Sequence, residues 1–162
     1  MIANWSAAAI SILLLAIAPA GAAQAEPAHS HSEGDSLAFG EPGDPRKPSR
    51  TIAIIIDEVD GKMLFLPSKI AVKKGEQIRF RLTNRGLLAH EISLSTPEAN
   101  LRRARQMENN GGTPRIDRRA RRLQPGKSGQ LLWKFSKAGT FDFSCLLPGH
   151  RRAGMFGTVI VK

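Results

Sequence analysis

The stretch Phe141-Asp142-Phe143-Ser144-Cys145-Leu146-Leu147-Pro148-Gly149-His150, followed by Arg151-Arg152-Ala153-Gly154-Met155, decides how the rest of the chain is read. Phe141 and Phe143 alternate with polar residues, the pattern of a half-buried strand, in which residues two apart share a face. Cys145 lies two beyond Phe143, so its sulfur shares the inward face. Pro148-Gly149 then turns the chain. His150 and Met155 follow at equal intervals, giving C-x4-H-x4-M. One loop therefore gathers a thiol, an imidazole and a thioether at the end of a strand.

Working outward, the same period of two recurs. Ile52, Ile54 and Ile56 alternate, then Ile70 and Val72, then Ile78, Phe80 and Leu82 against Gln77, Arg79, Arg81 and Thr83. Ile92 and Leu94, then Leu131, Trp133 and Phe135, and finally Val159 and Val161 continue it. Turn signals at Asp60-Gly61, Lys74-Gly75, Arg85-Gly86, Pro125-Gly126 and Ala138-Gly139 separate these runs. Seven or eight short strands with such breaks predict an all-β chain folded as an antiparallel β-sandwich. His90 has the parity of Ile92 and Leu94, so it also points between the sheets near a strand end. One stretch does not fit: residues 98–122 are polar and carry eight arginines, with a short helix predicted over 98–108 and ended by Asn109-Asn110-Gly111-Gly112. No internal repeat is present.

The first 25 residues contain no Lys, Arg, Asp or Glu, and Ala7 to Ala18 form an apolar run that ends at Pro19, Gly21 and Ala23-Gln24-Ala25. This is the pattern of a cleaved secretory signal, too short to span a bilayer comfortably, with cleavage expected after Ala25. Nothing charged is removed, so the exported chain keeps the whole formal net charge of +10. Such a surface favours acidic partners, nucleic acid or anionic lipid. Residues 26–50 are rich in Pro, Gly, Ser and charge, with Phe39 their only aromatic residue, and read as a flexible arm. His29 and His31 sit in that arm with nothing around them to fix ring orientation, and read as solvated. The domain proper is expected over 51–162, with the arginine-rich insertion at 98–122.

Cys145 is the only cysteine, which excludes an intrachain disulfide and every two-cysteine metal or redox motif. An exported chain with one free thiol needs a reason for it, and metal ligation is one. Copper that cycles between two oxidation states takes two imidazole nitrogens and a thiolate near one plane, with a weak thioether above it. His90, Cys145, His150 and Met155 supply that set. Each alone fits an ordinary core or surface residue; together, in a β-rich exported chain, they point to one copper ion. Enzymatic readings fare poorly. A dinuclear copper centre needs two cysteines, and multicopper oxidases need several His-x-His pairs in a far longer chain. His90 and Glu91 point to opposite faces of a strand, which leaves no hydrolytic base and orienting acid side by side. A non-enzyme is expected.

The closing motif, from Phe141 to His150 with Ala153-Gly154-Met155 and Gly157-Thr158-Val159, resembles that of the cupredoxins, the plastocyanin and azurin group of blue copper proteins. Leu82-Thr83-Asn84-Arg85-Gly86 with His90-Glu91 is similar to the first-histidine segment of their small periplasmic members, and Gly40-Glu41-Pro42-Gly43-Asp44-Pro45 to a leader of that subgroup. The likeness covers about residues 40–162. It implies an eight-stranded Greek-key sandwich with a type 1 copper at one end, bound by His90, Cys145, His150 and axially by Met155. It further implies that the Glu91 backbone N–H faces the Cys145 sulfur while the Glu91 side chain points outward. Related periplasmic proteins often carry a Met- and His-containing insert before the seventh strand; here that region keeps only Met107, which argues against a second soft-metal site.

Three functions are ordered by this reading. First comes a periplasmic or secreted one-electron carrier. Next comes a copper buffering, delivery or resistance protein using the same site. Last comes a polyanion binder acting through the arginines, which lack the interleaved aromatics that stack bases, so no specific nucleic acid is expected. The partner of a monomeric carrier would be a redox protein with an acidic docking surface. It would meet the edge of His150 inside an apolar patch with Leu87 and Leu88, attracted by Arg151 and Arg152. No stable membrane insertion is expected once the signal is cleaved.

Overall fold

The computed structural model describes Met1 and residues 39–111 and 117–162; the signal segment, His29 and His31 lie outside the described residues. Ten strands form there, in two five-stranded sheets, with one helix. The strands are β1 (Gly40–Pro42), β2 (Arg50–Val59), β3 (Lys62–Leu66), β4 (Lys69–Val72), β5 (Gln77–Asn84), β6 (His90–Ser95), β7 (Ala120–Leu123), β8 (Ser128–Phe135), β9 (Gly139–Ser144) and β10 (Phe156–Val161). The helix α1 spans Pro97–Asn109. One sheet has the order β1-β8-β5-β2-β3 and the other β4-β10-β9-β6-β7. The expected sandwich is present, with two additions to its pattern. The β2–β5 and β4–β10 pairs are parallel rather than antiparallel. Strands β1, β3 and β7 carry too few alternating apolar residues to announce themselves.

The inward rows meet as expected. Ile54, Ile56, Ile78, Phe80, Leu82, Leu131, Trp133 and Phe135 from one sheet face Ile92, Leu94, Phe141, Phe143, Val159 and Val161 from the other, all buried in one core. The β2–β3 hairpin turns through Asp60 (φ 50°) and Gly61 (φ 74°), between the paired residues Val59 and Lys62. Two central residues with positive φ make the tight turn that matches strand twist, which Asp-Gly supplies at little cost.

Residues 39–50, expected as part of a flexible arm, pack against the sandwich. Phe39 is fully buried, stacked on Trp133 with centroids 5.1 Å apart and tilted against Phe141 at 5.0 Å. Behind it β1 pairs with β8. The Gln77 side chain then holds the next turn, accepting from Asp44 N–H at 2.8 Å and donating to Asp44 O at 3.0 Å. A polar composition concealed one aromatic anchor, and burying that ring outweighs ordering the short segment around it.

The insertion is not simply a solvated charge run either. Thr96 caps α1, its Oγ1 accepting from Ala99 N–H at 3.2 Å, with Pro97 in the first turn where no backbone donor is needed. Asn100 docks the helix, its Nδ2 donating to Ser93 O at 2.9 Å and Asp142 Oδ1 at 2.7 Å. This cover explains why all six residues of β6 are buried although its sequence alternates. Beyond the helix, Asp117 accepts from Arg103 and, at 2.9 Å, from Arg119, and β7 pairs with β6, setting Leu123 opposite His90. No helix among the described residues is long and apolar enough to cross a membrane.

Replacing Phe39 with Ala removes an anchor that three aromatic rings touch. Urea unfolding is expected to show a loss of about 3–5 kcal/mol; a midpoint equal to wild type would mean that the arm adds nothing to the core.

Candidate metal centre

Pairing of β6 with β9 brings the two ligand-bearing strands together, with Ser93 opposite Ser144 and Leu94 opposite Phe143. Cys145 directly follows β9 and His90 begins β6, so both lie buried at the same end of the sandwich. The Cys145 thiol is fully buried. Its loop closes on itself: Cys145 N–H donates to Met155 O at 3.0 Å, Met155 N–H to His150 O at 3.1 Å, and His150 N–H to Leu147 O at 3.1 Å. These bonds bring His150 back over the sulfur.

The three ligand atoms of His90, Cys145 and His150 lie within 4.8 Å of one another. His90 Nδ1 is 3.2 Å from His150 Nδ1, which is 3.4 Å from Cys145 Sγ. Such spacing suits ligands that share a single first-row ion at bond lengths of roughly 2.0–2.3 Å. The sulfur accepts from the Glu91 backbone N–H at 3.4 Å, as the resemblance implied. Burial pushes the Cys145 thiol up to about 12, partly countered by the N–H groups of Leu147 and Glu91. Burial and the neighbouring His90 hold His150 below its ordinary value, so it stays neutral and able to donate a lone pair. One thiol and two imidazoles form a donor set suited to copper. Met155 is fully buried in the same core cluster, its backbone bonded to Cys145 and His150.

The residues 52–162 match the model of the copper binding proteins of the plastocyanin/azurin family, with His90, Cys145 and His150 inside the match. The chain belongs to this family. Among its relatives is the copper-resistant cuproprotein CopI of Rubrivivax gelatinosus, 39% identical over 76% of this chain and 73% of that protein. CopI of Pseudomonas aeruginosa is 31% identical over 77% of this chain and 83% of its own. Among solved structures, reduced auracyanin from Roseiflexus castenholzii superposes with a TM-score of 0.60 at 25% identity, over 72% of this chain and 99% of that one. As a copper-binding cupredoxin, the protein uses copper as its cofactor.

Two expectations about this cupredoxin's surroundings are corrected. The Glu91 side chain lies on the face of β6 opposite His90 but is not free there; it is buried, and burial raises its pKa against the opposing charges of Arg122 and Arg103. The helix packs over the outer face that a bare strand would have exposed, while β7 flanks β6 in the same sheet. Arg151 is not a free docking charge. Its guanidinium donates to both carboxylate oxygens of Asp142, at 3.0 and 2.9 Å, and to Ser144 Oγ, and lies over the Phe156 ring at 5.1 Å. It braces the ligand loop against β9. Arg152 is largely exposed and pairs with Glu108 at 3.3 Å. Leu87 and Leu88 are exposed as expected.

One residue escaped the sequence reading. Glu58 Oε1 lies 2.7 Å from His90 Nε2 and accepts from Leu88 N–H at 2.9 Å. Its burial works against ionisation, but the bonds from His90 and Leu88 outweigh it and hold the carboxyl below its ordinary value. The signal was present in the parity of β2: Glu58 continues the inward row of Ile52, Ile54 and Ile56.

In the metal-free chain a thiol titrating near 12 is protonated at neutral pH and shielded. Alkylation of the folded protein is expected to be slow at pH 7 and to rise toward pH 12 as thiolate appears, with unfolding restoring ordinary rates. Fast labelling at pH 7 would contradict the buried geometry. The copper-loaded chain is expected to show intense sulfur-to-copper absorption, and Cys145→Ser to abolish it.

Proposed function

We propose that this protein is an exported copper-resistance cuproprotein, periplasmic or secreted, that holds one copper ion in a type 1 centre and passes single electrons through it. The observation that carries this reading is a buried thiol fixed by a backbone donor within reach of two imidazoles. Copper bound there supplies one-electron redox chemistry. The chain does the rest. His90, Cys145 and His150 would hold the ion through donor atoms already gathered together, Met155, buried in the same cluster, would offer it a thioether, and Leu146 with the core excludes water. The copper-resistance setting rests on the names of the CopI relatives. The thiol and both imidazoles are taken up as donors to the metal in this reading, which makes the chain a binding protein rather than an enzyme.

The second reading, a diffusible monomeric carrier with a redox partner, draws on a different observation. His150 is only half-buried, and Leu87 and Leu88 are exposed at the ligand end. An apolar contact there would let a partner approach closely. Arg152, largely exposed although paired with Glu108, is the charge left to attract an acidic surface, since Arg151 is committed to Asp142. The polyanion-binding reading loses support because Arg103 and Arg119 are spent on Asp117.

Deleting the gene is expected to sensitise the host to copper, with the wild-type chain restoring tolerance and Cys145→Ser failing to do so. Unchanged tolerance in the deletion strain would favour the carrier. Met155→Gln exchanges a thioether for a stronger oxygen donor and is expected to lower the reduction potential while copper is retained; an unchanged potential and spectrum would make Met155 a packing residue.

A further inference from the structure

Three features converge on one end of β2. The Glu58 carboxylate reaches out of its own sheet to the segment that carries the first histidine of the other. There Oε1 receives two groups at once, His90 Nε2 at 2.7 Å and Leu88 N–H at 2.9 Å. His90 itself is fully buried, so its Nε2 has no access to water and depends on this partner. Gly86 leaves the room: a Cβ there would come within 2.4 Å of Glu58 Oε1 and 3.1 Å of His90 Nε2. The Gly86 N–H is fixed in turn by Asn84 Oδ1 at 3.0 Å, so the loop is shaped around the pair.

We propose that Glu58 is the positioning residue of the copper centre, acting through His90; the assignment rests on the copper reading above. A carboxylate accepting from Nε2 keeps the imidazole proton on that nitrogen, leaving the Nδ1 lone pair aimed at Cys145 and His150. It also fixes the ring plane and makes the imidazole a stronger donor. A negative charge next to a ligand stabilises the more highly charged ion, so Glu58 favours Cu(II) over Cu(I) and holds the reduction potential down. The side chain is about one-fifth exposed, so water screens part of this effect.

The test compares the full chain with Glu58→Gln, Glu58→Ala and Asp60→Asn, each loaded with copper. Absorption, reduction potential and competition affinities for Cu(II) and Cu(I) are measured. Glu58→Gln keeps an oxygen acceptor in place but loses the charge. It is expected to retain the colour and to shift the Cu(II)-to-Cu(I) affinity ratio about tenfold toward Cu(I), a rise of about 59 mV. Glu58→Ala loses orientation as well, with Cu(II) affinity expected to fall about 10–100-fold and the spectrum to change. Asp60→Asn removes the same charge from the exposed turn of the same hairpin, where Asn tolerates the positive φ, and is expected to leave potential and spectrum at wild type. If Glu58→Ala fails to fold by circular dichroism, Glu58→Gln decides alone. A wild-type potential in Glu58→Gln overturns the proposal, as does an equal shift in Asp60→Asn. A wild-type chain that takes up no copper sinks the functional reading itself; a copper-loaded wild type with indifferent Glu58 variants sinks only this assignment.

Discussion

A thiol kept away from water, yet able to give up its proton to a metal, is the constraint around which this end of the molecule is built. Burial pushes Cys145 up to about 12, so the thiolate persists only where a positive ion replaces the proton. The sulfur needs donors that cannot drift, and backbone N–H groups meet that need. The Glu91 donor exists because β6 runs beside β9 in a register that sets Ser93 against Ser144. The sheet ladder thus serves as an electrostatic device as well as a scaffold. Its two ligand strands share one sheet, while the carboxylate behind His90 comes from the other.

Behind the ligand strands lies a second, polar layer. Asn100, Asp142, Ser144 and Arg151 form one hydrogen-bonded group, and Arg103, Asp117, Arg119 and Ser93 form another. Burial lowers the pKa of Arg103 despite its partner Asp117, a sign that its charge is held at some expense of solvation. Taking one member from such a group leaves its counterpart buried and unpaired, which destabilises more than the pair itself contributes. The layer ties helix, strand and ligand loop together, so the imidazole of His150 is braced from the far side through Arg151 and through the bond from Gly149 N–H to Glu108 at 3.4 Å.

The sandwich and the gathering of His90, Cys145 and His150 at one end of it were legible because each depends on local pattern: period-two apolar rows, turn glycines, and donor residues on one short loop. What stayed hidden depends on pairing across the chain. Nothing near Phe39 says that a distant tryptophan offers it a stacking surface. Arg121 and Arg122 read as part of a charge run, and only β6, already formed, turns them into a strand. Arg151 looked available because its partner Asp142 sits nine residues earlier on a strand, facing away from the core. Glu58 was readable in principle: an acidic residue continuing an apolar row has to meet something inside.

The arginine-rich insertion acquires another meaning from where β7 lies. A sandwich of open sheets has four edge strands, and each exposes unpaired backbone groups to any extended chain that approaches. Here β1 is short and ends in Pro42, β3 begins with Lys62, β4 begins with Lys69, and β7 carries Arg121 and Arg122. Proline, brevity and cationic side chains are the means by which edges are kept from recruiting a neighbour. Wherever two copies met edge to edge, these lysines and arginines would set like charge against like, which disfavours strand pairing between them.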